Sequence, residues 1–461
     1  MWDTFRNASE CANLPGCDVP YLFVLRTVFL MFSALCASAL ADAGAARAQA
    51  PAGLSAPAGA RLQGVVLLSR HGLRGPTKAT RCAPATSGAC FDALANRPWP
   101  ADVAAGHLLP EGYGRVARLG HFYRSHYAAL GLLAGGACPP PDAAAFTADS
   151  SERTIVTAGA LMDAMFPGCA IPRWSVSADV YKGPSCGFDP ALAARAAQAM
   201  AGGSWAVAAA GTLRAPLAAM DAALGPFSAA GCAAHGATAP CSLASVPVSA
   251  EAPGPIALAT APSEQFLMQY AAGHPPDQVA WGRLEAASGR PLPQALTFVS
   301  AIHAFYDRAA HMPKYQAVKK GSPVLARVLE ALEATAGEGP ALQVFASHDD
   351  LILNVAGMLD LRWQLESYQP EQVPPGGAIA FELWRSSKGE SMVRLVYFAQ
   401  TIMQMHADAV LSDATPPASA LLPLPACETG ADGLCPFARF RQIASEAIDP
   451  ACVGKPERSS P

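Results

Sequence analysis

A short apolar run near the start of the chain ends abruptly in a cluster of charged side chains. Residues 65–68 are valine and leucine, and glycine and proline bound the segment, which predicts a buried strand rather than a helix. Residues 70–77, which follow, read Arg-His-Gly-Leu-Arg-Gly-Pro-Thr. Ligands of open α/β sheets bind outside the carboxyl ends of the strands. We therefore expect an α/β sheet that presents His71 and two guanidinium groups at one edge.

These side chains suit a phosphate group. Arg70 and Arg74 each offer paired N–H donors that match phosphate oxygens two at a time. Their charges disfavour protonation of His71, so its ring can keep a free nitrogen in mildly acidic surroundings and attack phosphorus. We expect Gly72 and Gly75 to let the backbone approach this ligand closely. The alternative is an ordinary strand-to-loop turn that carries solvated charges.

The first 50 residues are predicted to be a leader with a secretory signal peptide. An apolar segment at 27–37 follows Arg26, and Ala-x-Ala sites end at Ala41 and Ala50. An uncleaved single-span anchor is the rival interpretation, since residues 21–41 approach the length of a bilayer span. A formal net charge of -4 excludes an overall basic surface for nucleic acid. We expect a periplasmic or secreted monomer with no stable membrane insertion after signal cleavage.

Cysteine usage supports export. Of thirteen cysteines, Cys11, Cys17 and Cys36 lie in the leader, which leaves ten, an even number, in the mature chain. Several lie close together in sequence and no Cys-x-x-Cys occurs, so disulfides over small loops are favoured over a zinc site.

Periodicity divides the remaining chain. Strand-like and helix-like segments alternate in residues 51–186 and 312–461, which predicts an α/β catalytic domain. Residues 187–311 are rich in alanine and lack a clear strand, so we expect a helical cap domain inserted between the two halves. The individual elements predicted are helices at 111–127 and 322–336, a strand at 341–346, and a hairpin of strands at 378–384 and 392–398.

The strand at 341–346 runs into a second polar tip, Ser-His-Asp-Asp at 347–350. Two such tips from neighbouring strands would converge on one site. Asp349 is the candidate acid that protonates the leaving oxygen and then the base that activates water, while His348 would donate to a phosphate oxygen. A structural His-Asp pair at a strand end is the alternative.

A third charged motif, Ala-Asp-Ser-Ser-Glu-Arg-Thr, occupies residues 148–154. Arg153 is a candidate third phosphate clamp, which Asp149 and Glu152 would position. Taken alone, the same pattern is typical of a helix N-cap, in which Asp or Ser precedes Glu.

Together these motifs resemble the histidine acid phosphatases, branch 2 of the histidine phosphatase superfamily, and among them the bacterial 4-phytases and glucose-1-phosphatases. The resemblance extends from residue 64 to residue 452 and includes Pro-Thr-Lys-Ala-Thr at 76–80 and Pro-Pro-Gly-Gly at 374–377. It implies a phosphoglycerate-mutase-like mixed sheet flanked by helices, with an inserted cap. It also implies an exported acid phosphomonoesterase, acting on phytate or a sugar phosphate through a phosphohistidine, with no metal or cofactor.

The resemblance also assigns roles to individual residues. His71 matches the nucleophile and Asp349 the proton donor. The phosphate-binding positions are Arg70, Arg74, Arg153 and His348, and the substrate-pocket positions are Thr77, Lys78, Glu264, His303 and Lys320. The implied disulfides are Cys138–Cys169, Cys186–Cys452, Cys232–Cys241 and Cys427–Cys435, with Cys82–Cys90 as an addition.

One departure from the family pattern and one retained pair bear on the substrate. The family's His-Asp-Thr-Asn reads His-Asp-Asp-Leu here, so Asp350 adds a carboxylate beside a pocket for a polyanion. This weakens the phytate interpretation, whereas the Thr77–Lys78 pair, which glucose-1-phosphatases lack, favours it. Phytate stays the preferred substrate; the alternatives are glucose-1-phosphatase or a broad acid phosphatase, a mutase of the wider superfamily, and a non-enzymatic surface protein that binds phosphate ligands.

Overall fold

The computed structural model of the chain describes residues 55–77, 104–133, 138–171, 173–177 and 180–454. The expectations for the leader, for Lys78 and for a Cys82–Cys90 disulfide lie outside the described residues.

A mixed sheet forms the centre of the molecule. Its strand order is β3-β2-β4-β1-β5-β6-β7, and β8 pairs with β6. Strand β1 is parallel to β4 and antiparallel to β5, so parallel and antiparallel halves of the sheet meet at β1. This confirms the predicted mixed α/β class. The strands are β1 (Arg61–Arg70), β2 (Ala144–Ala148), β3 (Arg173–Val176), β4 (Leu342–Ser347), β5 (Ala378–Arg385), β6 (Ser391–Ala399), β7 (Ala418–Leu421) and β8 (Cys435–Pro436).

The apolar run at 65–68 forms the buried centre of β1, and all four side chains are fully buried. Helices on both faces require strands in which every side chain can be apolar, which explains the continuous run. The register pairs Arg70 of β1 with Ser347 of β4. The two polar tips therefore emerge side by side, as the sequence predicts.

Thirteen α-helices occur in the described part of the chain. They are α1 (Pro110–Ala129), α2 (Glu152–Met165), α3 (Pro190–Met200), α4 (Trp205–Ala210), α5 (Arg214–Leu224), α6 (Ala229–Ala234), α7 (Pro255–Ala271), α8 (Leu284–Ser288), α9 (Leu292–His311), α10 (Lys314–Ala336), α11 (Asp349–Leu359), α12 (Ile402–His406) and α13 (Phe437–Ala447).

Helix α1 packs unusually close to the loop that carries His71. A Cβ on Gly112 would lie 2.3 Å from the carbonyl oxygen of Leu73, and one on Gly72 would lie 2.7 Å from Val116. Gly112 is therefore a point of close contact between α1 and the loop. Gly72 was expected to let the backbone approach a ligand, but α1 occupies the space where its side chain would be. Both glycines hold the His71 loop against the helix.

Helices α3 to α9 account for the regular structure of residues 190–311, together with short 3-10 turns, and no strand occurs in this described segment. Their apolar side chains, including Ile256 and Phe266 of α7 and Val299 of α9, are fully buried. The assignment of residues 187–311 to a separate cap domain stays a prediction.

Four disulfides join the pairs that the resemblance implied. They are Cys138–Cys169, Cys186–Cys452, Cys232–Cys241 and Cys427–Cys435. The second of them ties the segment before α3 to the end of the described chain across 266 residues. Among the described residues, no helix has both the length and the apolar character needed to cross a bilayer.

Candidate active site

His71 lies at the carboxyl end of β1, and only 2% of its surface is exposed. Its backbone N–H donates to the carbonyl of Ser347 at 2.9 Å, which ties the residue to the tip of β4. Its ring Nδ1 lies 2.9 Å from the carbonyl oxygen of Gly72 and donates to it, because a carbonyl can only accept. Burial and then the charges of Arg70 and Arg74 hold the pKa of His71 well below its ordinary value. The ring is therefore neutral, with its lone pair on Nε2.

Arg70 is buried and its guanidinium is held from three sides. One nitrogen donates to the carbonyl oxygen of Val373 at 2.6 Å, and another contacts the carboxylates of Glu264 and Asp349, the latter at 2.6 Å. Arg74 donates to the second carboxylate oxygen of Glu264 at 2.6 Å. Glu264 therefore holds both guanidinium groups in place beside His71.

Glu264 is itself part of a buried charge network on helices α7 and α9. Nε2 of His303 lies 3.5 Å from Glu264 and 3.0 Å from Asp307, one helical turn further along α9. Burial opposes the charge on His303, but the carboxylates of Asp307 and Glu264 outweigh it and raise its pKa to about 9. His303 is thus a buried cation that faces the same carboxylate as the two arginines.

Asp349 is the first residue of α11. Burial opposes ionisation of its carboxyl, but the positive charges of Arg70, His303 and Arg74 outweigh burial and hold its pKa below the ordinary value. Aspartate at the N-terminus of a helix is further favoured by the helix dipole. In the structure, Asp349 is therefore an ionised partner of Arg70 and not a protonated acid.

His348 contacts the third motif. Its Nε2 lies 2.6 Å from a carboxylate oxygen of Asp149, and its Nδ1 lies 3.4 Å from a guanidinium nitrogen of Arg153. Burial opposes ionisation of Asp149, but hydrogen bonds from His348 and Thr154 hold its pKa below the ordinary value. We expected Asp149 and Glu152 to position Arg153. Instead, Asp149 contacts His348, and Glu152 accepts from the backbone N–H of Leu108 at 2.8 Å.

Two imidazole rings lie close together in the site. The ring centres of His71 and His348 lie 5.5 Å apart in an edge-to-face arrangement. Arg70, Arg74 and Arg153 surround them on β1, on the loop after it and on α2. The site thus combines a neutral imidazole with three guanidinium groups, which suits a tetrahedral dianion.

The residues expected to line a substrate pocket occupy different environments. Glu264 and His303 are both buried at 7% exposure beneath the arginines, whereas Thr77 is exposed at the rim. Lys320 lies on α10, where its ammonium group is 5.2 Å from the centre of the Phe188 ring.

Three supporting groups were missing from the sequence-based prediction. Asp307 stands four residues after His303, a helical spacing that could have revealed the pair. Thr157 accepts a hydrogen bond from the backbone of Gly72, and the carbonyl of Val373 holds Arg70. The last two are long-range contacts for which a sequence holds no local signal.

Glu264, His303 and Asp349 also bring three potential metal-ligand atoms within 4.8 Å of one another. Both carboxylates contact guanidinium nitrogens at this point, and the His303 ring nitrogen contacts Asp307. The two carboxylates function here as the counter-charges of Arg70, Arg74 and His303.

Sequence comparison places this geometry in a known family. The family model of the histidine phosphatase superfamily (branch 2) matches residues 61–191 and 269–398. Phytase AppA of Escherichia coli (strain K12) is 32% identical over 419 residues, which is 85% of this chain and 93% of that protein. A glucose-1-phosphatase of Salmonella typhimurium is 27% identical over 409 residues, covering 85% of this chain and 94% of that protein.

The fold gives the same result. The apo form of Hafnia alvei phytase superposes with a TM-score of 0.74 at 28% identity and covers 87% of this chain and 100% of its own. The same enzyme in complex with myo-inositol hexakis sulphate gives a TM-score of 0.72. Both motif-bearing strands, β1 and β4, lie within the matched residues. The family predicted from the motifs is confirmed: the chain belongs to the histidine phosphatase superfamily (branch 2), as a histidine acid phosphatase that hydrolyses phosphomonoesters.

Proposed function

We propose that this chain is an exported acid phosphatase that hydrolyses phytate and other organic phosphates through a covalent phosphohistidine on His71. The observation that carries the proposal is the state of the His71 ring. Its Nδ1 proton is donated to the carbonyl of Gly72, while burial and then the cationic neighbours keep Nε2 unprotonated. A neutral imidazole can act as a nucleophile, and the surrounding guanidinium groups offset the negative charge of the phosphate that it attacks.

In the first step, Nε2 of His71 forms a bond to phosphorus and the ester P–O bond breaks. The leaving oxygen takes a proton from Asp349. Arg70, Arg74 and Arg153 stabilise the charge on the transferring phosphoryl group, which is the main task of the protein in this chemistry. In the second step, water attacks the phosphohistidine, gives a proton back to Asp349, and releases orthophosphate and free His71.

Asp349 needs a proton to serve as the acid, although it is ionised beside Arg70 in the absence of substrate. A bound phosphate dianion supplies negative charge that competes with Asp349 for Arg70 and Arg74. The lost stabilisation raises the pKa of the Asp349 carboxyl, so it takes up a proton when substrate binds. The proton donor is therefore prepared by the substrate itself, most readily in acidic medium.

His348 acts on the same phosphoryl group. Its Nδ1 accepts from Arg153 in the structure, so donation to a phosphate oxygen requires a proton on both ring nitrogens. The Asp149 carboxylate, 2.6 Å from Nε2, stabilises that imidazolium. Asp149 is thus a positioning residue for His348.

Phytate is the favoured substrate because the chain retains Thr77 and Lys78 and has a phytase among its relatives. One observation favours a sugar phosphate as the second candidate. Asp350 adds a carboxyl next to Asp349, where a substrate with several phosphates would bring further negative charge. A glucose-1-phosphatase is also among the relatives.

Export is supported by the four disulfides and by the predicted signal peptide. We propose that the mature protein acts in the periplasm or outside the cell.

The test is a rapid acid quench of enzyme with ³²P-labelled substrate. Wild type is expected to carry label on one histidine, identified by peptide mapping as His71. His71→Ala is expected to carry none and to lose turnover by a factor on the order of 10⁴ or more. Asp163→Asn, on the exposed face of α2, is the matched control. Active enzyme without labelled His71 overturns the mechanism, and absence of phosphate release from phytate overturns the substrate.

A further inference from the structure

A cavity of about 340 Å³ lies between α10, the start of α11 and the segment before α3. Its charged walls come from Lys182, from two lysines of α10 and from Asp350, the residue directly after Asp349. The lining residues are Tyr181, Lys182, Gly183, Pro184, Ser185, Phe188, Lys319, Lys320, Pro323, Asp350 and Leu351.

The charges in this cavity are unequally engaged. Lys319 donates to the carboxylate of Asp449 at 2.8 Å and to the carbonyl of Cys186 at 2.9 Å. The ammonium group of Lys320 lies 5.2 Å from the centre of the Phe188 ring. Asp350 accepts from the backbone N–H of Leu351 at 2.9 Å and has no ion pair within the described chain. Its second carboxylate oxygen is therefore available to a ligand.

We propose that Asp350 is a specificity-determining residue, which accepts hydrogen bonds from a hydroxyl group next to the reacting phosphate and disfavours a second phosphate there. The proposal rests on the proposed phosphatase function and deepens it. Phytate stays the favoured substrate, and Asp350 narrows its advantage over phosphomonoesters of a sugar or polyol with a free hydroxyl beside the ester.

The reason is the sign of the charges. An ionised carboxylate is an acceptor that pairs with a hydroxyl donor, but it repels a phosphate dianion. Asp349, the residue directly before Asp350, already carries one carboxylate, and Arg70 neutralises it. Asp350 adds a second one without a guanidinium partner.

The discrimination against a second phosphate depends on pH. Burial and then the neighbouring charge of Asp349 raise the pKa of Asp350. The other groups that face it are His311 of α9, His348, and the lysines of the cavity walls, Lys182, Lys319 and Lys320. Asp350 therefore ionises at a higher pH than an ordinary aspartate, and discrimination against phytate grows as it ionises.

The experiment compares kcat/KM for phytate, glucose 1-phosphate and 4-nitrophenyl phosphate in wild type, Asp350→Asn and Asp350→Thr. Asn keeps the shape and removes the charge. We expect the phytate to 4-nitrophenyl phosphate ratio to rise about tenfold in Asp350→Asn, equivalent to ~1.4 kcal/mol. The ratio for glucose 1-phosphate to 4-nitrophenyl phosphate should fall. The charge-matched control is Glu338→Gln, which removes an exposed carboxylate shortly before the first residue of β4. It should move neither ratio.

The pH series provides a second measurement. The wild-type phytate ratio should fall relative to that of Asp350→Asn as the pH rises from about 4 to about 7, because only wild type gains the extra charge. Phytate ratios that stay within twofold of wild type in both Asp350 variants at every pH overturn the specificity role. That result leaves the phosphohistidine mechanism intact, whereas unlabelled His71 in the quench experiment removes the mechanism and this proposal together.

Discussion

Nε2 of His348 donates to the Asp149 carboxylate across 2.6 Å, although 199 residues separate the two in sequence. The bond joins the tip of β4 to the segment between β2 and α2, and it sets the orientation in which Nδ1 faces Arg153. A motif that taken alone is typical of a helix cap is therefore also part of the candidate active site.

Asp149→Asn should impair turnover more than substrate binding. The amide cannot stabilise a doubly protonated His348, so kcat should fall by a factor on the order of 10² while KM changes by less than about threefold. Steady-state kinetics with 4-nitrophenyl phosphate check this. Asp142→Asn, which loses an exposed pair with Arg173, is the control. An equal loss in both variants would refute a positioning role for Asp149.

Asp349→Asn should discriminate between leaving groups. Without an acid, alkoxide leaving groups depart slowly, so kcat on glucose 1-phosphate should fall by about 10²- to 10⁴-fold. The loss on 4-nitrophenyl phosphate should be clearly smaller, since that phenolate needs no proton. Kinetics on the two substrates provide the measurement, and losses of equal size would show that Asp349 does not act as the acid.

His303 should make stability depend on pH. Its pKa of about 9 in the folded protein lies above the ordinary value of 6.5. Its contribution is therefore complete below pH 6.5 and is lost as the pH rises through 9. From the size of the shift, wild type should lose roughly 3 kcal/mol of unfolding free energy across this window. Urea denaturation at several pH values should show a flatter profile for His303→Gln; parallel profiles would contradict the assignment.

The carboxylates of the site have the opposite effect. The pKa values of Glu264, Asp349 and Asp149 are all held below the ordinary range by cationic or hydrogen-bonding partners. Their contribution is present above the ordinary carboxyl pKa and disappears as the pH falls through the lowered values. We expect Glu264→Gln to make the unfolding free energy less dependent on pH below about 4. Denaturation curves at acidic pH check this, and an unchanged slope would argue against the buried Arg70–Glu264–Arg74 network.

The disulfides should differ in their contribution according to loop length. Cys186–Cys452 closes 266 residues, whereas Cys232–Cys241 closes 9. Loop-closure entropy predicts a loss of about 5.5 kcal/mol when the first is replaced by a serine pair and about 2.5 kcal/mol for the second. Equilibrium unfolding of the two double-serine variants compares these losses directly. A larger loss for the second disulfide would mean that the disulfides do not act mainly by restricting the unfolded chain.

Local sequence patterns were enough to predict the strands around the site. The run at 65–68 predicted a buried strand because a strand covered on both faces needs apolar side chains at every position. The strand itself begins earlier, at Arg61, since its first residues pair with β5 at Arg385 near the sheet margin, where polar side chains are tolerated. The hairpin of β5 and β6 was likewise visible from its turn and its two apolar runs.

Other features depended on packing that no local pattern records. Gly72 was assigned to ligand approach, yet α1 occupies the space beside it. Asp149 was assigned to Arg153, yet it contacts His348. In both cases the residue was correctly singled out as unusual, but its partner lies on an element far away in sequence.

The sequence by itself determined the reactive groups: one histidine between two arginines after a buried strand, and a His-Asp pair after another. It did so because strand and loop preferences act over a few residues. Only the tertiary structure decided their charge states. Glu264 lies 194 residues from Arg70 in sequence. Folding brings the two side chains into contact at a buried position, where solvent does not screen their charges. The neutral ring of His71, the ionised Asp349 and the charged His303 all follow from that three-dimensional arrangement of charge.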